Sequence, residues 1–382
     1  MSRTRRSTLL DFLHTESSGG VVLLTATVVA LVWANSPYGD RYARVFDADT
    51  RHWVNDGLMA IFFLVVGLEI KRELVVGELR DRRVAALPAL AALGGMAVPA
   101  LVYTVVNLGR GGELRGWAIP MATDIAFCVG IMALLGDRVA PSLKLFLLSL
   151  AIVDDIGAIA VIALFYSDGI SVLPLLLSVV LLMLYAAGQR WQRGRWPVYV
   201  VLAVGAWAAL FTSGVHPTLA GVAVGLLTRV GGPAERAERL LHPWSVFLVV
   251  PLFALANAGL RLSAGAVGDA LTSRVGLGIA LGLVVGKTVG VVAATWIGVR
   301  TRLGTLPAGE GWTGVTGAAL LAGVGFTVSL FVRGLAFDDA GSAAEATVGI
   351  LAGSLVAAVA GALVLGRSGT DSPPLPTPDS VG

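Results

Sequence analysis

The chain has 382 residues, of which 56% are hydrophobic and 14% are charged, and its formal net charge is +3. Soluble domains carry roughly 25% charged residues, so this composition excludes an ordinary soluble domain. Long apolar runs recur along the whole chain, which predicts an all-α polytopic membrane protein. Cys128 is the only cysteine in the sequence, so no intrachain disulfide can form.

A membrane-spanning helix needs about 20 predominantly apolar residues. On this criterion we expect a cytoplasmic N-terminal segment at 1–18, a single transmembrane unit at 19–366 and a disordered, Pro/Ser-rich cytoplasmic tail at 367–382. The N-terminal segment is basic but lacks the apolar region and cleavage site of a signal peptide. About twelve spans are predicted, near residues 19–36, 54–70, 84–107, 117–136, 142–166, 170–188, 197–213, 216–229, 245–260, 275–299, 312–332 and 346–366.

The basic residues are distributed unevenly between the two sides of the membrane. With the N-terminus inside, the cytoplasmic segments hold 19 Lys and Arg residues and the outer loops hold 8. Cytoplasmic loops carry an excess of Lys and Arg. The distribution therefore predicts that both termini are cytoplasmic.

The run LSLAIVDDIGAIAVIALF, residues 148–165, places Asp154 and Asp155 in the middle of a predicted span. Ionisable groups inside a membrane are rare and mark functional sites. Neighbouring helical residues point about 100° apart, so the two carboxylates face adjacent sectors of a cavity. Carboxylate oxygens bind either protons or a small hard cation, which is the chemistry of an exchanger. A purely structural role, as a helix cap or a packing salt bridge, would also account for one of them.

Two predicted spans are interrupted at their middle by helix-breaking and polar residues. The fourth reads GWAIPMATDIAFCVGIMALLG from residue 116, and the eleventh reads GAALLAGVGFTVSLFV from residue 317. Non-helical backbone at membrane depth is tolerated only where it lines a cavity or is buried in protein, and such paired interruptions indicate a transporter site. Alternatively, the glycines permit close helix packing. The interrupting residues are Pro120, Thr123, Asp124, Gly323, Gly325 and Thr327.

Helix ends at membrane depth require compensating charges. Two facing helix N-termini sum to about one positive charge and two facing C-termini to about one negative charge. Asp124 is placed to neutralise the first pair and Lys287, in LGLVVGKTVGVV, the second. Lys287 has a second possible partner, Asp154. Snorkelling of Lys287 to an interface conflicts with the apolar residues on both sides of it.

Six motifs follow one another between residues 18 and 365. They read WVNDGLMAIFFLVVGLEIKREL, GWAIPMATDIAF, LAIVDDIGAI, SGVHPTLAGV, LHPWSVFLVVPLFALANAG and GVGFTVSLF. Together they resemble the bacterial NhaA sodium/proton antiporters, in the order of that family. A single motif of this kind has little specificity, whereas six in order have much.

This resemblance implies a fold of twelve spans with two inverted-topology repeats, at roughly 84–166 and 275–366, whose fourth and eleventh spans are discontinuous and cross. The repeats would form a core that rocks against an interface domain, which also carries a homodimer contact. By the resemblance, Asp155 is the likelier of the two aspartates to bind the cation, and Asp154 is the partner of Lys287. Thr123 and Asp124 would lie at the crossing.

The resemblance also implies a cytoplasmic pH-sensing cluster. Histidine has an unperturbed pKa near 6.5, which suits a sensor. By spacing alone, Glu69, Arg72 and Glu73, at i, i+3 and i+4, are equally compatible with a surface ion-pair cluster of little energetic effect. Arg239 stands where some family members carry a second histidine, which affects the pH of activation. The cluster comprises Glu69, Arg72, Glu73, Glu238 and His242. Asp56 receives no role.

The sequence thus predicts a secondary antiporter in a bacterial inner membrane that exports Na⁺ or Li⁺ against external H⁺, with two H⁺ per Na⁺. It predicts no enzyme activity, no cofactor and no nucleic-acid partner. An intramembrane aspartyl protease is disfavoured, because adjacent aspartates diverge and no G-x-G-D sequence is present. Three further functions compete with antiport on the sequence: a sodium-coupled symporter, a proton-coupled organic-ion carrier, and a channel or non-transporting sensor.

Overall fold

The computed structural model of the protein describes residues 3–167, 169–191, 196–261 and 264–368. These residues form helices and connecting turns, with no strand among them. The first helix begins at Arg3, so most of the predicted N-terminal segment continues directly into the first apolar helix. Of the predicted tail, 367–382, the first two residues end the last helix and the others lie outside the described residues.

Eighteen α-helices follow one another along this part of the chain. They are α1 Arg3–Ala34, α2 Gly39–Val45, α3 Ala48–Trp53, α4 Met59–Val75, α5 Arg82–Asn107, α6 Ile125–Leu134, α7 Pro141–Phe165, α8 Val172–Trp191, α9 Trp196–Phe211, α10 Thr218–Leu227, α11 Pro233–Trp244, α12 Val250–Asn257, α13 Ala264–Thr272, α14 Arg274–Leu281, α15 Lys287–Arg300, α16 Trp312–Ala322, α17 Phe326–Ala336 and α18 Ala340–Ser368.

The described helices confirm a polytopic membrane protein. Seven are long and apolar enough to cross a bilayer, and the number rises to nine if each of two bent pairs is one span. The bent pairs are α1 with α2 and α16 with α17, and the second pair bends by 44°. The polar backbone groups of such helices are satisfied within each helix, as a hydrocarbon environment requires.

Local departures from α-helical geometry occur at three places along the long helices. The π-helical turns Val54–Leu58, Ser245–Val249 and Gly282–Gly286 interrupt α-helical segments, and the third lies immediately before Lys287. Single π turns inside α-helices widen the backbone locally and often occur at functional sites. Here three residues of the widened turn, Gly282, Leu283 and Gly286, are buried beside the place where two interrupted segments cross.

Two interrupted segments cross in the interior and complete each other's hydrogen bonds. The 3₁₀ segment Leu114–Met121 is followed by non-helical backbone up to Asp124, and α6 begins at the next residue. The break between α16 and α17 lies opposite. Asp124 N–H donates to the Val324 carbonyl at 2.6 Å, and the Thr123 hydroxyl donates to the Ala322 carbonyl at 2.8 Å. Backbone groups that the breaks expose are therefore satisfied within the protein.

Glycines allow the helices around this crossing to approach closely. A Cβ added at Gly225 of α10 would lie 2.6 Å from the Leu64 carbonyl oxygen and 2.7 Å from the Leu68 nitrogen of α4. On the other side of the core, a Cβ at Gly290 of α15 would lie 2.1 Å from the Gly94 carbonyl oxygen of α5. Backbone-to-backbone contact of this kind is typical of membrane helix interfaces.

We expect Gly225→Ala to destabilise the protein by about 1–3 kcal/mol, because the new methyl group meets backbone that cannot move without shifting α4. The measurement is thermal unfolding of the detergent-solubilised protein, with Gly268→Ala as the matched control. A Cβ at Gly268 meets no atom within 4 Å. Equal melting temperatures for the two variants would contradict the close contact between α4 and α10.

Candidate ion-binding site

Helix α7 carries Asp154 into the interior, where it pairs with the only described lysine inside the helical core. Lys287 Nζ donates to Asp154 Oδ2 at 2.6 Å, and the two residues are 0% and 1% exposed. The other oxygen, Asp154 Oδ1, is buried and accepts no hydrogen bond from the described residues. Thr123 lies beside it, but its hydroxyl donates to the Ala322 carbonyl instead. Asp154 therefore keeps one oxygen available to a proton or a cation.

The neighbouring Asp155 has a different environment. It is 7% exposed, and its carboxylate forms no hydrogen bond or ion pair with the part of the chain that the structure describes. The carboxylate lines a narrow cavity of about 60 Å³, together with Asp124, Thr123 and Thr327. The two adjacent aspartates thus have separate partners: Asp154 faces a lysine and Asp155 faces open space.

Asp124 joins the two interrupted segments. It is the N-cap of α6, and its Oδ1 accepts from the Phe127 N–H at 3.1 Å. Its Oδ2 accepts from the backbone N–H of Thr327, at 3.1 Å, and from the Thr327 hydroxyl. Thr327 lies in the first turn of α17, so one carboxylate binds the N-termini of two helices. This position is electrostatically favourable, because each N-terminus carries partial positive charge.

Lys287 compensates the opposite kind of helix end. Besides its bond to Asp154, Nζ donates to the carbonyl of Met121, the last residue of the 3₁₀ segment. The sequence left two possible partners for Lys287, a helix C-terminus and Asp154. The structure brings it to both at once.

The breaks themselves require small residues. A Cβ at Gly323 would lie 2.3 Å from the Leu283 carbonyl oxygen, and one at Gly325 would lie 3.0 Å from the Ala122 carbonyl oxygen. Pro120 is buried within the 3₁₀ segment. Both interpretations of these glycines, close packing and a break in the helix, therefore apply together.

The five residues predicted to form a pH-sensing cluster come together where α4 meets α11. Arg72 pairs with Glu238 across the two helices, and Arg72 Nε lies 3.8 Å from Glu73 Oε1. His242 Nε2 lies 3.7 Å from Glu69 Oε1. Glu69 and His242 also line the cavity that reaches Asp155. The cluster is thus continuous with the site rather than remote from it.

Sequence reasoning missed a second cluster of ionisable side chains, in which two histidines surround Asp56. His52 Nε2 lies 3.3 Å from Asp56 Oδ2, and His216 Nε2 lies 3.4 Å from Asp56 Oδ1. The His216 ring packs edge-on against Phe331, with centroids 5.2 Å apart. The i, i+4 spacing of His52 and Asp56 was the local signal for part of this cluster. The contact with His216 joins residues 160 positions apart and has no local signal.

We expect Asp124→Ala to lower the free energy of unfolding by about 2 kcal/mol, because it removes the caps of two helices at about 1 kcal/mol each. Asp124→Asn retains an acceptor oxygen, so we expect a smaller loss. Thermal unfolding in detergent measures both variants against Asp40→Asn, which changes an exposed ion pair. If Asp124→Ala and Asp40→Asn have the same melting temperature, the bridging role of the Asp124 carboxylate is wrong.

Known proteins resemble the chain over almost its whole length. The family described as Na⁺/H⁺ antiporter 1 matches residues 10–365. The Na(+)/H(+) antiporter NhaA 2 of Pseudomonas syringae is 48% identical over 93% of this chain and 94% of its own length. The Na(+)/H(+) antiporter NhaA 3 of Frankia alni is 47% identical, over 93% of this chain and 87% of its own. The NhaA antiporter of Rhodospirillum rubrum is 47% identical, over 94% of this chain and 96% of its own length. The chain therefore belongs to the NhaA family of Na⁺/H⁺ antiporters, which are membrane transporters and not enzymes.

Proposed function

We propose that the protein exports Na⁺ or Li⁺ from the cytoplasm in exchange for external H⁺, with Asp154 and Asp155 as the carriers. The observation that carries this proposal is the difference between the two neighbours. Asp155 faces the cavity without a partner, whereas Asp154 is held by Lys287 and keeps one open oxygen. A cation entering the cavity meets Asp155 first and then the free oxygen of Asp154.

Exchange follows from competition for these oxygens. Carboxylates close together in a poorly solvated site repel one another, and either a proton or a small cation relieves the repulsion. Carboxylate and hydroxyl oxygens suit a hard cation such as Na⁺ or Li⁺. Because one oxygen cannot hold a proton and a cation at the same time, binding of either releases the other.

Two routes provide two protons for each cation. In the first, both aspartates are protonated when the cation leaves. In the second, the cation displaces Lys287 from Asp154, the freed lysine loses its proton, and Asp155 carries the other. Either route moves one net charge per cycle, so the membrane potential contributes about 2.3 kcal/mol per 100 mV.

The proposed topology has twelve spans with both termini in the cytoplasm of a bacterial inner membrane. Its support is that the nine apolar helices and bent pairs become twelve when α4, α9 and α10 are included. The core repeats, roughly 84–166 and 275–366, each contain one interrupted segment of the crossing. The remaining helices would form the interface domain and a homodimer contact. In support, α8 and α9 present exposed large apolar side chains, such as Leu173 at 79% and Val201 at 69%.

The size of the cavity disfavours the transport of larger solutes. A proton-coupled organic-ion carrier or a symporter of an organic solute needs a binding pocket of about 300 Å³ or more. The cavity at Asp155 has about 60 Å³, which is far below that size but sufficient for a small cation. This difference favours cation exchange over organic transport on the same fold.

In everted membrane vesicles from a host without its own sodium exporters, we expect NaCl or LiCl to drive protons out of acidified vesicles. We expect Asp154→Asn and Asp155→Asn to abolish this efflux, because each removes a carrier carboxylate. A fluorescent pH probe inside the vesicles reports it. Clamping the membrane potential with K⁺ and valinomycin should change the rate if the cycle moves net charge.

The control is Asp40→Asn, which neutralises an exposed carboxylate paired with Arg261 and should transport as the wild type does. Full activity in Asp155→Asn would exclude it as a carrier. Sodium-independent proton movement in the wild type would exclude antiport altogether.

We further propose that His242 and Glu69 set the pH response. Protonated His242 attracts Glu69 across α4 and α11 and closes that end of the cavity, whereas neutral His242 releases it. Loss of the charge on His242 at higher pH therefore removes the attraction to Glu69 and activates transport.

The two directions of charge change at His242 give opposite expectations. His242→Gln has no charge to attract Glu69, so we expect activation at lower pH than in the wild type. His242→Arg keeps a permanent charge, so we expect activation at higher pH. Vesicle transport measured from about pH 6 to 9 tests both. Shifts in the same direction would contradict this mechanism.

A further inference from the structure

Two arginines, Arg51 and Arg333, lie within electrostatic range of one another at the end of α17 away from the crossing, and neither has a carboxylate partner among the described residues. Arg333 Nη2 lies 3.2 Å from Asn257 Oδ1, and its Nη1 lies 3.3 Å from the Thr347 hydroxyl. Both acceptors are neutral. The Nε atoms of Arg333 and Arg51 are buried and donate no hydrogen bond to the described residues.

The charges around the two arginines do not balance. Two ionisable side chains act electrostatically on Arg333. One is Arg51, which is also a cation, and the other is Tyr42. The Tyr42 hydroxyl donates to the Leu255 carbonyl at 2.8 Å. The two guanidinium groups therefore repel one another across a site that holds no formal negative charge among the described residues.

Three acidic residues of the neighbouring elements are engaged elsewhere. Asp47 caps α3 by accepting from the Thr50 N–H at 2.8 Å, and that hydrogen bond lowers the pKa of its carboxyl group. Asp56 lies between two histidines. Asp339 caps α18 by accepting from the Ser342 N–H at 2.7 Å. None of the three forms an ion pair with Arg51 or Arg333 in the part of the chain that the structure describes.

Burial of an unpaired charge and of an unsatisfied donor is unfavourable. The C-terminal carbonyls of α17 compensate part of the charge on Arg333, which lies in its last turn. They leave the two Nε–H donors without acceptors. A single anion between the guanidinium groups would satisfy both donors and remove the repulsion between the two charges.

We propose that Arg51 and Arg333 bind a small inorganic anion, which in a saline medium is chloride. The two Nε atoms are buried within the protein, out of reach of a phosphate group that stays tethered to a lipid at the surface. Arg333 follows Thr327 by six residues, or about 9 Å along α17. The anion site therefore lies on the same helix as the cation site, at its opposite end.

The test is thermal unfolding of the purified full-length protein in choline chloride or choline isethionate at equal ionic strength and without Na⁺. We expect chloride, and bromide in its place, to raise the melting temperature by several degrees with saturation. Arg51→Gln and Arg333→Gln should lose this shift. Arg261→Gln, which removes an exposed arginine paired with Asp40, should retain it.

A wild-type protein that melts identically in chloride and isethionate would overturn the proposal. So would chloride shifts of equal size in Arg51→Gln and the wild type. If Arg333→Gln does not fold, equilibrium binding of radioactive chloride to the wild type and to Arg51→Gln decides the question. Saturable binding that Arg51→Gln weakens tenfold or more supports the site, and unsaturable or unchanged binding overturns it.

Discussion

One carboxylate bonded to two helix N-termini holds the centre of this protein together. Asp124 accepts hydrogen bonds from the first turns of α6 and α17, which both begin in the interior, where water cannot satisfy their exposed N–H groups. The non-helical backbone beside it is closed by bonds such as that from Thr123 to the Ala322 carbonyl. Without this arrangement, the two helices would begin at membrane depth with unsatisfied N–H groups, and the adjoining cavity would lose part of its polar wall.

Lys287 completes the arrangement with opposite charge. It directly follows a π turn and reaches both the end of the 3₁₀ segment and Asp154. The lysine neutralises Asp154 but leaves Asp155 to the cavity. Adjacent identical residues thereby acquire different chemistry from their positions on one helix, because residues one position apart point about 100° apart. Electrostatic coupling between the two carboxylates needs no other residue between them, because they are neighbours on the same helix.

The elements that sequence reasoning anticipated are those with a local signal. Asp154 and Asp155 stand out because apolar residues surround them, and the break at Gly323 is visible as a pair of glycines within an apolar run. The bond from Asp124 to Thr327 is different, because it joins residues 203 positions apart and depends on how two helices cross. The same limit applies to Arg333: its lack of a counterion among the described residues is a property of the helices that surround it, and the sequence shows only one more arginine near a helix end.

The small volume beside Asp155 has a consequence for the ion itself. The cavity of about 60 Å³ has room for only a few water molecules, since each needs about 10–15 Å³ of such space. An ion that reaches Asp155 therefore exchanges part of its hydration shell for oxygens of the protein, such as those of Asp155 and Thr327, which line the cavity. Dehydration then contributes to the barrier to entry, and the protein competes with water for the ion rather than merely attracting it.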